Sequence, residues 1–164
     1  MREAIHGLKY QNDLTLAYKL ATLLTILVQS TDWKFDLVVP VPLSQKRLDQ
    51  RGYNQAALLA KPLALSMEKP FTTRGLARVR ETQSQVSLNI QQRKENVQDA
   101  FLADPVMIKG RSILLVDDVF TTGATMNAAA EALHAAGSRQ VFALTVAKAV
   151  HRSQAIENTP ANIV

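Results

Sequence analysis

Two adjacent carboxylates close an apolar run in the stretch "ILLVDDVFTTGAT", which covers residues 113–125. Carboxylates accept hydrogen bonds, so neighbouring hydroxyl groups of a sugar are natural partners for Asp117 and Asp118. The same acids would repel a phosphate group that touched them directly. The alternative is that the two acids only end a strand and take no part in chemistry. The pair therefore favours a ligand that carries hydroxyl groups.

The residues that follow have the composition of a phosphate-binding loop: Thr121, Thr122, Gly123, Ala124 and Thr125. Small residues let backbone N–H groups approach a ligand, and the helix expected after them adds a partial positive charge. The threonine hydroxyls supply further donors. No lysine follows the glycine, so the loop is not of the Walker type that binds nucleoside triphosphates. Acids and loop together predict a site for a sugar phosphate.

Net positive charge is concentrated in the middle third of the chain. The chain has 19 Lys and Arg residues against 14 Asp and Glu, a formal net charge of +5. Residues 44–100 hold ten of the bases and five of the acids, and the rest of the chain holds nine of each. Such a distribution fits a solvated basic face, and it equally fits an anion site for phosphates or nucleic acid.

Composition and length exclude several classes of protein. The 164 residues contain no cysteine and three scattered histidines, so we expect no disulfide, no thiolate-bound metal and no histidine metal cluster. The chain begins without the apolar stretch of a signal peptide, and no run reaches the roughly 18 apolar residues of a membrane span. We therefore expect a cytoplasmic protein with no membrane span. It would form one domain over residues 1–150, followed by a polar tail over 151–164.

The spacing of apolar residues predicts alternating helices and short strands. Helices are expected over 14–29, 53–67 and 124–137, and strands over 35–39, 75–79, 99–103, 112–118 and 140–150. Asp13 is a suitable N-cap for the first helix. Pro40 and Pro42 should end the first strand, and Pro62 should kink or break the second helix. This order indicates an α/β fold with a mainly parallel sheet, whose ligands bind beyond the carboxyl ends of the strands.

The acid pair and its loop closely resemble the signature of type I phosphoribosyltransferases, which bind phosphoribosyl pyrophosphate (PRPP). Three further stretches resemble the ComF family of competence-associated, phosphoribosyltransferase-like proteins: "GLKYQNDLTLAYKLATLL", "VPVPLSQKRLDQRGYNQAALLA" and "RVRETQSQVSLNIQQRKENVQDAF". The resemblance covers nearly all of residues 3–149. It implies a type I phosphoribosyltransferase-like fold, with a twisted, mostly parallel sheet flanked by helices and a long flexible loop. Family members commonly carry an N-terminal cysteine-rich zinc-binding segment, and this chain departs from them because it has no cysteine.

By this resemblance, the acids and the small-residue loop hold one half of PRPP. Asp117 and Asp118 would bind the 2′- and 3′-hydroxyls of the ribose and act in catalysis, and residues 121–125 would cradle the 5′-phosphate. Pyrophosphate would leave through a transition state that resembles an oxocarbenium ion, as in glycosyl transfer generally. Mg²⁺ would be held by PRPP and water, with no metal site built by the protein.

The stretch "QRGYN" stands where type I transferases place their pyrophosphate loop, after the first strand and before a helix: Arg51, Gly52, Tyr53 and Asn54. The Arg51 guanidinium can bind two oxygens at once, and a surface salt bridge is the alternative role for this side chain. Gly52 would let the backbone approach the ligand. Asn54 would cap the following helix or donate a hydrogen bond nearby.

The polar stretch 80–98 resembles the long flexible loop that closes over the site in these enzymes. Candidate residues in and beside it are Arg78, Arg80, Gln83, Gln85, Arg93 and Asn96. The arginines would reach the leaving group, and closure would exclude the water that otherwise captures the activated sugar. The alternative is a surface loop with no part in catalysis.

Three functions are compatible with these residues. The first is an active phosphoribosyltransferase that acts on a nucleobase-like acceptor. The second is a regulatory module that binds PRPP or a nucleotide with little turnover. The third is a protein of DNA uptake or utilisation that contacts single-stranded DNA or the competence machinery. Fewer residues support this third function, because stacking on bases needs exposed aromatic residues. Tyr53 is the one aromatic residue of the basic stretch that is not expected to be buried. Type I relatives often form dimers, so the resemblance also implies a homodimer.

Overall fold

A computed structural model of the chain describes residues 14–80 and 99–148. The elements in chain order are α1 (Leu14–Gln29), β1 (Leu37–Pro40), α2 (Gln45–Arg51), α3 (Gln55–Ser66), β2 (Leu76–Arg78), β3 (Phe101–Ala103), α4 (Pro105–Ile108), β4 (Ser112–Phe120), α5 (Ala124–Ala135) and β5 (Gln140–Lys148). The expected N-cap at Asp13, most of the expected flexible loop and the tail over 151–164 lie outside the described residues.

The central sheet is parallel, with β4 between β1 and β5. Ile113 of β4 lies level with Leu37 of β1 and with Val141 of β5. Each connection between parallel neighbours contains at least one helix, because parallel strands need a crossover. The predicted α/β fold with a central parallel sheet is confirmed.

Alternate side chains of β4 belong to two separate cores on opposite faces of the sheet. Ile113 and Leu115 pack in one core with side chains of α5, including Leu133. Leu114 and Val116 pack in the other core with apolar side chains of α1 and α3. Because successive side chains of a strand point to opposite faces, a strand covered on both sides needs an uninterrupted apolar run. The "ILLV" sequence meets that requirement.

Three longer helices cover the sheet. α1 has the bounds predicted from the sequence, and it packs against α3, which in turn lies over β1 and β4. α3 remains one helix through Pro62, so the expected break does not occur. Proline removes one backbone hydrogen bond, but the fully buried Leu59 and Leu63 on either side anchor the helix to the core. No helix in the two described ranges is long and apolar enough to cross a membrane.

Two features differ from the sequence prediction. β2 and β3 form an antiparallel pair of their own instead of joining the central sheet. Two short helices, α2 and α4, stand where no helix was expected. α4 begins with Pro105 and is capped by Asp104, whose Oδ1 accepts from Val106 N–H at 2.9 Å. Helices of four and seven residues are too short to show a periodic apolar pattern, which explains why the sequence did not reveal them.

Candidate functional site

Asp117 and Asp118 lie within β4, because this strand continues to Phe120 instead of ending at the acids. β5 remains paired with β4 as far as Phe120. β1 ends earlier, and its last residue, Pro40, lies opposite Val116. The acids are therefore located just beyond the end of β1. They occupy the carboxyl edge of the sheet and lie within the strand, as predicted, but the strand continues two residues beyond its predicted end at Asp118.

The two acids are half-buried and are linked through the main chain. The backbone N–H of Asp118 donates to Oδ1 of Asp117 at 2.8 Å. Both side chains are carboxylates, which accept hydrogen bonds, and vicinal hydroxyls of a sugar are donors that such a pair can bind.

The loop before α5 depends on a glycine. Gly123 has a φ of 79° and precedes the first residue of α5. The ring of Phe120 lies against it, so that a Cβ at this position would be 2.7 Å from Phe120 Cζ. The Ala124 N–H donates to the hydroxyl of Thr122 at 3.4 Å, a long hydrogen bond at the start of the helix. Backbone conformation and close packing both require glycine here.

The predicted phosphate-binding residues 121–125 therefore lie between the acid pair and the N-terminus of a 12-residue helix. The side chains of Thr121, Thr122 and Thr125 are half-buried, whereas Gly123 and Ala124 are buried. A helix N-terminus carries a partial positive charge and unpaired N–H groups. The arrangement suits an anion bound next to a sugar.

The second predicted loop follows a helix and not a strand. α2 separates it from β1 and ends at Arg51, and Gly52 terminates α2 with a φ of 74° and donates its N–H to the Leu48 carbonyl at 2.7 Å. A side-chain to side-chain bond of 2.7 Å from Gln45 to Asp49, one turn apart, supports α2. Arg51 thus stands at the end of a helix, immediately before the turn.

Asn54 fixes this second loop to the sheet. Its Oδ1 accepts from Ala56 N–H at 3.0 Å and so caps α3, while its Nδ2 donates to the Val41 carbonyl at 3.0 Å. Val41 N–H in turn donates to the Val116 carbonyl at 2.8 Å. Val116 directly precedes Asp117. The capping role foreseen for Asn54 is confirmed, and its side chain connects the loop before α3 with the strand that carries the acids.

Gln55, which the sequence analysis did not single out, is the first residue of α3. It is 2% exposed, and its Nε2 has no hydrogen-bond partner in the part of the chain that the structure describes. The buried face of α3 includes Leu59 and Leu63, four and eight residues later. A glutamine at a position that belongs to the apolar stripe of a helix was the signal that could have revealed it.

Of the residues expected in or beside the flexible loop, the structure describes Arg78 and Arg80. Arg78 lies in β2, not in the loop, and its guanidinium stacks over the Phe101 ring at 5.4 Å from the centroid. This stacking results from the antiparallel pairing of Arg78 with Phe101. Arg80 follows β2 by two residues and is exposed. Gln83, Gln85, Arg93 and Asn96 lie outside the described residues, and their assignment stays a prediction.

Comparison with known proteins places this chain in a family. The family model described as Phosphoribosyl transferase domain matches residues 9–163, and the chain belongs to that family. Within it, the chain is 35% identical over 147 residues to DNA utilization protein YhgH of Escherichia coli, a match that covers 85% of this chain and 64% of that protein. It is 32% identical over 152 residues to Competence protein F of Haemophilus influenzae, covering 88% of this chain and 66% of that protein. The resemblance to the ComF family is thereby confirmed, and the chain spans about two-thirds of the length of these relatives.

A solved structure with the same fold is adenine phosphoribosyltransferase from Thermoanaerobacter pseudethanolicus. The TM-score is 0.55 at 17% identity, with 84% of this chain and 71% of that chain covered. At this identity the similarity concerns the fold. The type I phosphoribosyltransferase-like fold predicted from the sequence is therefore confirmed.

Proposed function

We propose that this protein binds PRPP together with Mg²⁺ and transfers the 5-phosphoribosyl group to a nucleobase-like acceptor, with release of pyrophosphate. The observation that supports it most directly is the meeting of two structural units at one edge of the sheet. One unit is the acid pair with the loop before α5. The other is the loop before α3, tied by Asn54 to Val41, the residue that follows the neighbouring strand β1. Two helix N-termini at the edge that carries the acid pair suit a sugar with phosphate at both ends.

In the proposed reaction the bond between ribose C1 and the pyrophosphate oxygen breaks and a bond from C1 to an acceptor nitrogen forms. The electron pair of the broken bond leaves with pyrophosphate, and the acceptor nitrogen loses its proton. Positive charge develops on the sugar, as in glycosyl transfer. The carboxylates of Asp117 and Asp118 would hold the ribose hydroxyls and offset that charge, and Arg51 would stabilise the charge on the leaving group.

Mg²⁺ belongs to the substrate complex in this proposal. Among residues 14–80 and 99–148, no three acidic or histidine side chains gather in a way that could hold a metal ion. Mg²⁺ usually keeps several waters and binds through substrate phosphates with one or two carboxylates. The two carboxylates of the acid pair fit an ion that enters with PRPP.

The test is the release of pyrophosphate from PRPP and Mg²⁺ in the presence of a panel of nucleobases and related acceptors. The wild type should release pyrophosphate with at least one acceptor. Asp117→Asn should lower PRPP affinity or turnover about tenfold or more, because an amide loses the charged acceptor. Asp104→Asn is the matched control, since Asp104 is also half-buried and asparagine preserves its capping role.

A second ligand shows whether the acid acts on the hydroxyls. A 2′,3′-dideoxy analogue of ribose 5-phosphate should bind the wild type weakly and lose little further affinity in Asp117→Asn. Unchanged PRPP binding by Asp117→Asn would contradict the role assigned to the acid. PRPP binding with no pyrophosphate release for any acceptor would instead support the regulatory, non-catalytic module.

A second candidate function rests on the names of the relatives, DNA utilization protein and Competence protein F. Under this alternative, the basic stretch 44–100 contacts the backbone of single-stranded DNA. Lys46, Lys61, Lys69 and Arg74 are exposed cations of that stretch in the described residues. Binding should weaken steeply with salt, with a slope of about −0.7 for each phosphate neutralised. An affinity for oligonucleotides that does not change between low and physiological salt would argue against it.

A further inference from the structure

The side-chain Nε2 of Gln55 makes no hydrogen bond to any residue of 14–80 or 99–148. Gln55 itself is only 2% exposed. Buried polar groups in native proteins are almost always paired, because an unpaired buried donor loses its hydration without compensation. A buried donor that has no partner among the described residues is therefore a candidate to bind an acceptor of the ligand.

The position of Gln55 limits what that acceptor can be. The residue opens α3, and the preceding Asn54 holds the start of α3 to the Val41 carbonyl at the end of β1. Val41 is bonded to Val116, which adjoins the acid pair. Gln55 thus lies at the carboxyl edge of the sheet and at the positive end of a 12-residue helix. Both features favour an anionic oxygen as the partner.

We propose that Gln55 is a further ligand-binding residue whose Nε2 donates to an oxygen of the pyrophosphate group of PRPP. This inference rests on the proposed function and specifies how its leaving group is held. A neutral donor suits this buried position, because an arginine or lysine would lose far more hydration there than an amide does.

The experiment compares Gln55→Met, which keeps the length of the side chain and removes the donor, with the wild type. Calorimetric titrations use PRPP with Mg²⁺, inorganic pyrophosphate with Mg²⁺, and ribose 5-phosphate. Gln55→Met should weaken PRPP and pyrophosphate about tenfold or more and leave ribose 5-phosphate within about twofold. Gln29→Met is the matched control, because Gln29 is an exposed glutamine at the end of α1, and this variant should bind all three ligands as the wild type does.

Stability provides a readout that does not depend on ligand binding. Because Gln55 Nε2 has no partner among residues 14–80 and 99–148, Gln55→Met should have an unchanged or higher urea midpoint. A lower midpoint would show that the amide is needed by the fold, and it would overturn the proposal. In a ¹⁵N-correlated NMR spectrum of the wild type, the Gln55 side-chain protons should shift with PRPP and not with ribose 5-phosphate, and their failure to respond would overturn it as well.

The outcomes separate this inference from the function on which it rests. If the wild type does not bind PRPP, the proposed function fails, and the role of Gln55 fails with it. If the wild type binds PRPP and Gln55→Met binds it equally well, the function stands and Gln55 has no part in it. A selective loss of PRPP and pyrophosphate in a variant of undiminished stability supports both.

Discussion

Replacement of Gly123 by alanine tests the packing of the loop that precedes α5. The φ of 79° at Gly123 is a left-handed conformation, which costs an L-residue about 1–2 kcal/mol. An alanine Cβ would also lie 2.7 Å from Cζ and 2.9 Å from Cε2 of Phe120. Forcing a packed ring aside costs a further amount of about 1–3 kcal/mol. We therefore expect Gly123→Ala to lower the free energy of unfolding by about 3 kcal/mol and to weaken PRPP binding, because the loop itself must shift.

Gly52→Ala is the matched control for the backbone part of this cost. The φ of Gly52 is 74°, but a Cβ there would meet nothing within 4 Å. Its loss of stability should therefore be limited to about 1–2 kcal/mol. Urea unfolding of Gly123→Ala, Phe120→Ala and the double variant measures the steric part of this loss of stability. When Phe120 is already alanine, Gly123→Ala should cost less than it does in the wild type, by about 1 kcal/mol or more. Equal losses for the two glycine variants, or strict additivity in the cycle, would refute the steric argument.

Three further predictions concern the second loop and the opposite edge of the sheet. Arg51→Ala should weaken PRPP by about 2 kcal/mol and leave ribose 5-phosphate nearly unchanged, and equal losses in calorimetry would show a structural role. Asn54→Ala should lower the free energy of unfolding by about 1–2 kcal/mol in urea titrations, whereas Asn54→Asp, which keeps the cap, should lose less. The backbone N–H of Ser112 and, to a smaller extent, the Arg139 guanidinium lower the pKa of Asp36 below its ordinary value of 3.8. The lowered pKa stabilises the folded protein above that ordinary value, and this stabilisation is lost as pH falls through the lowered pKa. The free energy of unfolding, measured at neutral and at strongly acidic pH, should therefore decrease less in acid for Asp36→Asn than for the wild type.

The parts of the fold that follow from local periodicity could be predicted from the sequence. α1 has a regular apolar pattern over 16 residues, and its predicted bounds agree with the structure. The uninterrupted "ILLV" run indicated a strand covered on both faces, and the four side chains are indeed divided between two cores. The acid pair could be placed at the carboxyl edge of the sheet because it directly follows the apolar run of a buried strand.

The parts that depend on neighbours in space could not be predicted. The length of β4 beyond Asp118 is set by β5, which continues to pair with it after β1 has ended. The antiparallel pairing of β2 with β3 joins residues separated by more than twenty positions, and it places Arg78 on Phe101 and not in a loop. Gln55 has the same residue type as the exposed Gln45 and differs from it only in what surrounds it. Burial of a polar side chain is a tertiary property that its sequence neighbours do not specify.

The main-chain bond between Val41 and Val116 has a consequence for the dimensions of the site. Through it, Val41, which holds Asn54 of the loop before α3, and Val116, which precedes the acid pair, are spaced by the distance between adjacent strands, about 4.8 Å. Side chains in either loop can therefore change without altering the spacing of these two backbone anchors, whereas a shift of β1 by one residue would offset them by about 3.3 Å. Under the proposed function, the anchors of the two loops keep this spacing while the loops vary in the chemical groups that they recognise.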